Sequence, residues 1–433
     1  MKPAPPVTTR RSSGIPALSH ATVPTARRRP GVFPGRVTST RLVDRAEPLV
    51  RELQRRASSP GRSPRTAVVL GRLLGAGVVV CFATGLFSHL VQEQPAWLPL
   101  SPRPVWLYRA TQGVHVAVGL ALVPVLLGKL WAVYPRLFAW PPVTGVRSVL
   151  ERLSVLVLVA TALLQLATGV MNTAQWYAFP FSFKPVHLAL SWVLLGSVVL
   201  HVAVKLPVIA GSWRAPSAQD EDADDEDDED DEEAVARRTA LTAVGAATAA
   251  TVLLTVGQSL PALAPLALLS PRRPGVGPQG LPVNRTAREA GVLQTAVSAD
   301  WRLEVVDERR GALVLLTLEE LRAMPQTGAR LPIACVEGWS QDADWSGVRL
   351  RELLALVGAP AGSDVRVSSL QVRGGYRTSL MRGAYAQDPR TLLALALGGE
   401  PLHLDHGHPA RVIAPGRPGV LQTKWVRRVE VLS

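Results

Sequence analysis

Five long apolar runs dominate the chain: approximately Thr66–Val91, Gln112–Leu137, Leu150–Met171, Val186–Ala210 and Thr239–Leu260. Each reaches the roughly 20 residues that a helix needs to cross about 30 Å of hydrocarbon. They predict a four-helix transmembrane bundle with a fifth, tethering span. Beyond Pro271 the pattern shortens. Runs with strand-like alternation cover Trp301–Val306, Ala312–Leu316, Asp364–Leu370, Tyr376–Leu380, Ala410–Ala414 and Trp425–Leu432, and Leu331–Cys335 reads as a buried strand. Glu319–Met324 and Leu350–Leu356 have helical spacing. Such a mixture predicts an α+β domain.

Charge divides the chain further. The formal net charge is +13, but it is unevenly spread. Residues 1–65 hold Lys2 and many arginines, including Arg27-Arg28-Arg29, against Asp44, Glu47 and Glu52, whereas Asp220–Glu233 is acidic at every position but Ala223. Neither block can bury enough apolar surface to offset its ordering entropy, so both are expected to be disordered. The basic arm lacks interleaved aromatics and leads into a membrane span, so attraction to an anionic leaflet accounts for it better than nucleic acid does. The expected division is therefore a basic cytoplasmic arm (1–65), a four-helix domain (66–212), an acidic linker (213–237), a fifth span (238–262), a tether (263–280) and a soluble domain (281–433).

Basic residues flank alternate ends of the spans: Arg136, Arg147, Arg152, Lys205 and Arg214. The positive-inside rule places these ends, and the N-terminus, in the cytoplasm. After five crossings the C-terminal domain lies outside the cytoplasmic membrane. Trp97, Trp106, Tyr108, Trp176 and Tyr177 mark the outer interface. No cleavable signal peptide is expected, because the first long apolar run begins near Thr66. Arg237-Arg238, at the head of the Ala-rich fifth span, reads either as an internal twin-arginine export signal or as ordinary positive-inside arginines.

Ionisable side chains within spans are costly and point to function. His89, His115 and His187 lie toward the outer ends of spans one, two and four, and His201 follows His187 by 14 residues. At 1.5 Å per residue that is about 21 Å deeper. Two histidines at one depth on facing helices are what bis-imidazole haem ligation requires. Interfacial histidines touching headgroups are the alternative. The pattern resembles membrane cytochromes b, with His115 and His187 as the outer haem pair and His89 able to replace one of them. The inner partner of His201 is open, since Lys129 stands 14 residues after His115. One haem b, or two, is expected.

The two cysteines, Cys81 in an apolar run and Cys335, form no disulfide framework, and no GxGxxG, Walker or HExxH motif is present. Cys335 begins Cys335-Val336-Glu337-Gly338-Trp339-Ser340, with Trp345 following. By itself it reads equally as an inert buried thiol or as a soft metal ligand. Two later stretches change that balance: Asp405-His406-Gly407-His408-Pro409-Ala410-Arg411 and Lys424-Trp425. Together, in order, they resemble the molybdopterin domain of the sulfite oxidase family, and within it the periplasmic methionine sulfoxide reductases more than the sulfite oxidases. The resemblance implies that Cys335 ligates molybdenum, and that His406, Arg411 and Lys424 contact the pterin and its phosphate. Asn284 is similar to a pterin-contacting asparagine. Sulfite oxidases place a substrate arginine just before that asparagine; here the position is Val283. No immunoglobulin-like second domain is expected after Lys424-Trp425. Both departures point away from sulfite oxidation and leave Tyr376, Arg377 and Arg382 as substrate-side candidates.

These readings combine into one expectation. Oxygen-atom transfer at molybdenum, with electrons relayed through haem from quinol or another membrane donor, reduces an S-oxide or N-oxide, including methionine-sulfoxide types. The reverse direction, a sulfite-like oxidation feeding the membrane pool, stays open. So does a non-catalytic binding module on a haem-free anchor.

Overall fold

In lipid the backbone must satisfy its own hydrogen bonds, so the long apolar runs form helices. The structure, a computed structural model, describes Pro48, Glu52 and residues 59–135, 145–214 and 227–432. Most of the basic arm, residues 136–144, and residues 215–226 with the first half of the acidic run lie outside these described residues. The helices are α1 (Pro64–Glu93), α2 (Trp106–Val133), α3 (Val146–Ala174), α4 (Phe183–Arg214) and α5 (Asp227–Val256). All five are long and apolar enough to cross a membrane. Helix α1 starts with a capped turn, in which the Ser63 hydroxyl accepts from Thr66 N at 3.2 Å and Pro64 fills the first helical position.

Two expectations fail here. Helix α5 begins at Asp227 and not at 238, so the last part of the acidic run is helical. Carboxylates in a first turn complement the positive end of the helix dipole, which offsets their repulsion. Nor is the stretch 263–280 a free tether. It folds back on the end of α5: Leu269 N donates to Leu254 O at 3.0 Å and the Ser270 hydroxyl to Thr255 O at 2.9 Å. These bonds satisfy carbonyls that a helix C-terminus otherwise leaves unpaired. Apolar surface drives the rest, because Ala267 is fully buried.

The C-terminal domain carries two mixed or antiparallel sheets. Its strands are β1 (Leu303–Asp307), β2 (Ala312–Leu316), β3 (Thr327–Ala334), β4 (Ser340–Arg349), β5 (Val365–Ser369), β6 (Thr378–Met381), β7 (Leu392–Leu397), β8 (Glu400–Pro401), β9 (Arg411–Ile413) and β10 (Val426–Val431). One sheet has the order β2-β1-β10-β5-β6, with β1 and β10 parallel; the other runs β3-β4-β7-β8, with β9 paired to β7. Short helices connect them: α6 (Ala287–Ala290), α7 (Leu318–Ala323), α8 (Leu350–Ala355) and α9 (Gly383–Ala386). A core including Leu303, Val305, Leu353, Val367, Leu393 and Val429 is buried between the sheets and helices. A second cluster joins Leu331, Ile333, Trp345 and Ile413 to Cys335 and Trp339.

The described residues from 59 to 432 belong to one compact unit. The domain is seated on the end of the bundle where α1, α3 and α5 finish and α2 and α4 begin. Arg109 pairs with Asp342 at 2.9 Å and Arg103 with Asp388 at 3.1 Å. The Arg382 guanidinium donates to Gln94 O, the left-handed C-cap of α1, and pairs with Asp364 at 2.6 Å. Its donors are thus shared between the bundle, through Gln94 O, and Asp364 of its own domain.

Candidate active site

Strand β3 ends at Ala334, and the chain turns through Cys335–Trp339 into β4. Cys335 N donates to Trp339 O at 2.9 Å and Gly338 N to Cys335 O at 3.1 Å, which closes the turn. Gly338 has φ of +101° and rests on the bundle, where a Cβ would meet the Val116 side chain at 2.8 Å. Both demands select glycine. Cys335 is 1% exposed. Burial pushes its thiol well above the ordinary range and the nearby Glu337 adds to this, while the backbone N–H groups of Glu337 and Val336 work the other way. Glu337 is itself buried. Its carboxylate accepts from Trp339 Nε1 at 3.2 Å and from Gln175 Nε2, and pairs with Arg272 at 3.5 Å. Desolvation still raises its pKa, against the pull of Arg272.

Around this turn stand Asn284, His406, Arg411 and Lys424, lining one cleft with Cys335. Gly407, at φ of +112°, brings them together: a Cβ there would meet Lys424 Cβ at 3.0 Å and Arg411 Cβ at 3.2 Å. Trp425 holds a left-handed φ of 52°, costly for a bulky residue. Its Nε1 donates to Leu404 O at 2.7 Å, its N to Gly407 O, and its O accepts from Leu370 N at 2.7 Å. These bonds fix the turn that delivers Lys424.

Among the described residues neither cation of the cleft forms an ion pair, and the one carboxylate acting on Lys424 is Asp405, which offsets its burial only in part. Buried Arg411 donates one weak bond to His406 O at 3.4 Å, its Nε has no partner among the described residues, and its guanidinium lies 5.4 Å from the Trp345 ring centre. Half-buried Lys424 donates to two backbone carbonyls, Arg285 O at 2.7 Å and Asp405 O at 2.8 Å. Burial lowers Arg411 to about 10 and, with help from Arg411, pulls Lys424 well below its usual value. His406 falls to about 4, mainly by burial, and its Nε2–H donates to Pro278 O at 2.7 Å. A soft thiol beside cations that form no ion pair among the described residues suits a metal bound to an anionic organic group, such as a pterin ending in phosphate. The cleft measures about 10 Å³, room for about one water. Donor chemistry, not free space, carries that fit.

The bundle holds a much larger cavity, about 2170 Å³, lined by His89, His115, His187 and His201. The His115 and His187 rings lie 6.2 Å apart, with planes at 74°. Rings at that separation on facing helices would hold one haem iron between them, which would supply one-electron transfer. Hydrogen bonds orient both rings. His115 Nδ1 lies 3.0 Å from Cys81 O, an acceptor only, and so carries the proton. His187 Nδ1 lies 2.9 Å from the Thr168 hydroxyl, whose own hydrogen goes to Leu164 O at 2.8 Å. In each ring this leaves Nε2 as the lone-pair nitrogen, the ligand tautomer. On His187 that nitrogen now faces the Gln165 amide at 3.0 Å. The residues fit a bis-imidazole haem. His201 lines the inner part of the cavity with Lys129, Arg72 and Arg152, and His89 lines it from α1.

Comparison with known proteins locates the chemistry. The family model described as the oxidoreductase molybdopterin binding domain matches residues 290–433. The C-terminal domain is of the molybdopterin-binding oxidoreductase type. The chain is 34% identical over 139 residues to a putative protein-methionine-sulfoxide reductase subunit of Azospira oryzae, covering 31% of this chain and 50% of that protein. Over 97 residues it is 44% identical to a nitrate reductase of Hordeum vulgare, covering 20% and 11%. With rat mitochondrial sulfite oxidase it shares 29% identity over 163 residues, covering 31% and 29%. The chain thus spans half or less of the length of these relatives. In this domain the residues from the three sequence stretches meet at one cleft, and Asn284 joins them. Gln112, Gln175, Arg272 and Ser259, which hold the Cys335 turn, were not anticipated. Each polar side chain lies at or beyond a span end, where sequence gives no signal to separate a docking contact from solvent exposure.

Proposed function

We propose that this protein is a membrane-bound molybdenum oxidoreductase that reduces an S-oxide or N-oxide, with Cys335 as the protein ligand to molybdenum. Asn284, His406, Arg411 and Lys424 hold the pterin and its phosphate. His115 and His187 hold a haem b, and His201 and His89 line the same cavity as candidates for a second site. When bound, the molybdenum group supplies oxygen-atom transfer and the haem one-electron transfer, so that a sulfoxide takes up two protons and two electrons and gives the sulfide and water. The observation that carries this reading is a buried thiol lining one cleft with two cations, Arg411 and Lys424, that form no ion pair among the described residues. Burial opposes a bare thiolate at Cys335, so a metal displacing the proton is the economical way to use it. The cations bind phosphate without first breaking an ion pair. A quinol or another membrane donor supplies the electrons, and arginine placement around the spans puts the catalytic domain outside the cytoplasmic membrane. Arg237-Arg238 then serves as an export address, and its replacement by two lysines traps the domain inside.

The test uses the full-length protein purified from membranes. Molybdenum and haem are quantified, and a panel of S-oxides and N-oxides is offered with reduced viologen. Near-equal molybdenum and haem, with turnover of at least one oxide, is the expected result. Sulfite-like compounds reducing the haem, with no oxide consumed, reverse the direction. Absence of molybdenum overturns the reading.

A further inference from the structure

The Cys335 turn does not face solvent; it is built into the end of the bundle. Gln112 Nε2 donates to Val336 O at 2.9 Å. The other end of the same amide, Oε1, accepts from the Ser88 hydroxyl at 2.8 Å, and Gln92 Nε2 donates to that hydroxyl at 3.1 Å. The Gln112 amide is therefore fixed in one orientation, 5% exposed. On the other side of the turn Gly338 O accepts from the Ser259 hydroxyl, and Ser340 N donates to Gln258 O at 2.8 Å. His115 follows Gln112 by one turn of α2, about 4.5 Å along the axis.

We infer that Gln112 is a positioning residue for electron transfer: its bond to Val336 O couples the turn carrying Cys335 to the helix carrying His115. The inference rests on the haem and molybdenum assignments proposed above. The contact leaves a route of covalent bonds broken by one hydrogen bond: from Cys335 through the Val336 carbonyl to the Gln112 amide, then along α2 to His115. The domain is already seated there by the Arg109–Asp342 and Arg103–Asp388 pairs. An electron then crosses without undocking of the domain. Each electron leaving the haem side is replaced by the membrane donor, and two such transfers meet the demand of one oxide.

The test compares wild type with Gln112→Leu and Gln112→Glu, the second keeping size while removing the donor. Molybdenum content and the reduced-haem spectrum are recorded first. Wild type lacking either group shows that the functional reading itself has failed. With both present, protein reduced beforehand is mixed with an oxide substrate and haem reoxidation is followed in a single turnover. Both variants are expected to reoxidise roughly tenfold or more slowly, with haem spectrum and molybdenum content within twofold of wild type and viologen-driven turnover falling less than reoxidation. Reoxidation within twofold of wild type overturns the inference, as does an equal fall in viologen-driven turnover. A second measurement leaves Gln112 intact: Arg109→Cys with Asp342→Cys, joined by a short bis-maleimide, is expected to keep its reoxidation rate. Loss of that rate on cross-linking means that the domain must move, which also overturns it.

Discussion

His115 and His187 face an open cavity of about 2170 Å³, while Cys335 lies in a closed turn beside a cleft of about 10 Å³. The histidine site draws on all four helices. α2 and α4 supply the rings, α1 supplies Cys81 O, and α3 supplies Thr168 and Gln165. Both Nδ1 positions are committed, which leaves the lone pair of each ring on Nε2, that of His187 facing the Gln165 amide at 3.0 Å. The cysteine site is made from loops, and its groups are in tension: a desolvated thiol, a desolvated carboxylate at Glu337, and buried cations with no ion pair among the described residues. The first site is a shaped space in which both rings are held by hydrogen bonds at Nδ1. The second stores unfavourable electrostatics that a bound anionic group relieves. Rigid helices can position ligands around empty volume, whereas a pterin cleft needs backbone close approach, as at Gly407 and Gly338.

The largest effects should separate the two sites cleanly. Cys335→Ser is expected to lower oxide turnover by about 100-fold or more, equivalent to about 2.7 kcal/mol of transition-state stabilisation, with loss of molybdenum and an intact haem spectrum. A variant that kept both metal and turnover would remove the cysteine site from the chemistry. His115→Ala or His187→Ala should do the reverse, abolishing the haem absorbance while molybdenum remains. Survival of the spectrum in both variants would reassign the ligands, with His89 the next to substitute.

Next in size is a pH effect on the cofactor-free protein. His406 has a folded pKa of about 4, below its usual 6.5. Between those values the unfolded chain binds more protons, so stability rises with pH and is lost as pH falls from about 6.5 toward 4. The shift corresponds to about 3 kcal/mol. Denaturation of His406→Gln across this window should show a flatter pH dependence than wild type.

Arg411→Met probes the tension directly. Replacing an uncompensated buried charge with an apolar side chain should stabilise the cofactor-free protein by about 1–3 kcal/mol, while molybdenum content after expression falls. Destabilisation instead would mean that the guanidinium's position over Trp345 outweighs its desolvation. The smallest effect belongs to the seam. Arg109 and Asp342 are partly exposed, so Arg109→Ala should change stability by about 1 kcal/mol or less, measured by thermal unfolding at two salt concentrations.

Much of this molecule follows from local sequence. Apolar runs of sufficient length must be helices in lipid, so all five spans were legible, and β2 (Ala312–Leu316) matched its run to the residue. Ends were less legible: α5 reaches back to Asp227 because acidic side chains suit a helix N-terminus. Three strands of the domain left no usable pattern, the two-residue β8 among them. β4 reads SQDADWSGVR, too polar for a core strand, yet it lies between β3 and β7. β7 reads LLALAL, an unbroken apolar run of good helix formers that only its neighbours on both sides make a strand. Of the candidate site, Cys335, His406, Arg411 and Lys424 came from spacing and resemblance, because their residue types carry the chemistry wherever they fold.

What the tertiary structure alone decided is where the Cys335 turn rests. The segment CVEGW names a thiol, a carboxylate and a glycine, but not that Val336 O meets Gln112, that Glu337 meets Gln175 and Arg272, or that Gly338 lies against Val116. Those partners stand 65 to 224 residues away in the chain. Hydrophobic periodicity reports which face of an element is buried. It holds no record of which other element covers that face, because the same apolar or amide surface satisfies many partners. Only the packed chain selects one, and here it brings the helix of His115 against the turn of Cys335.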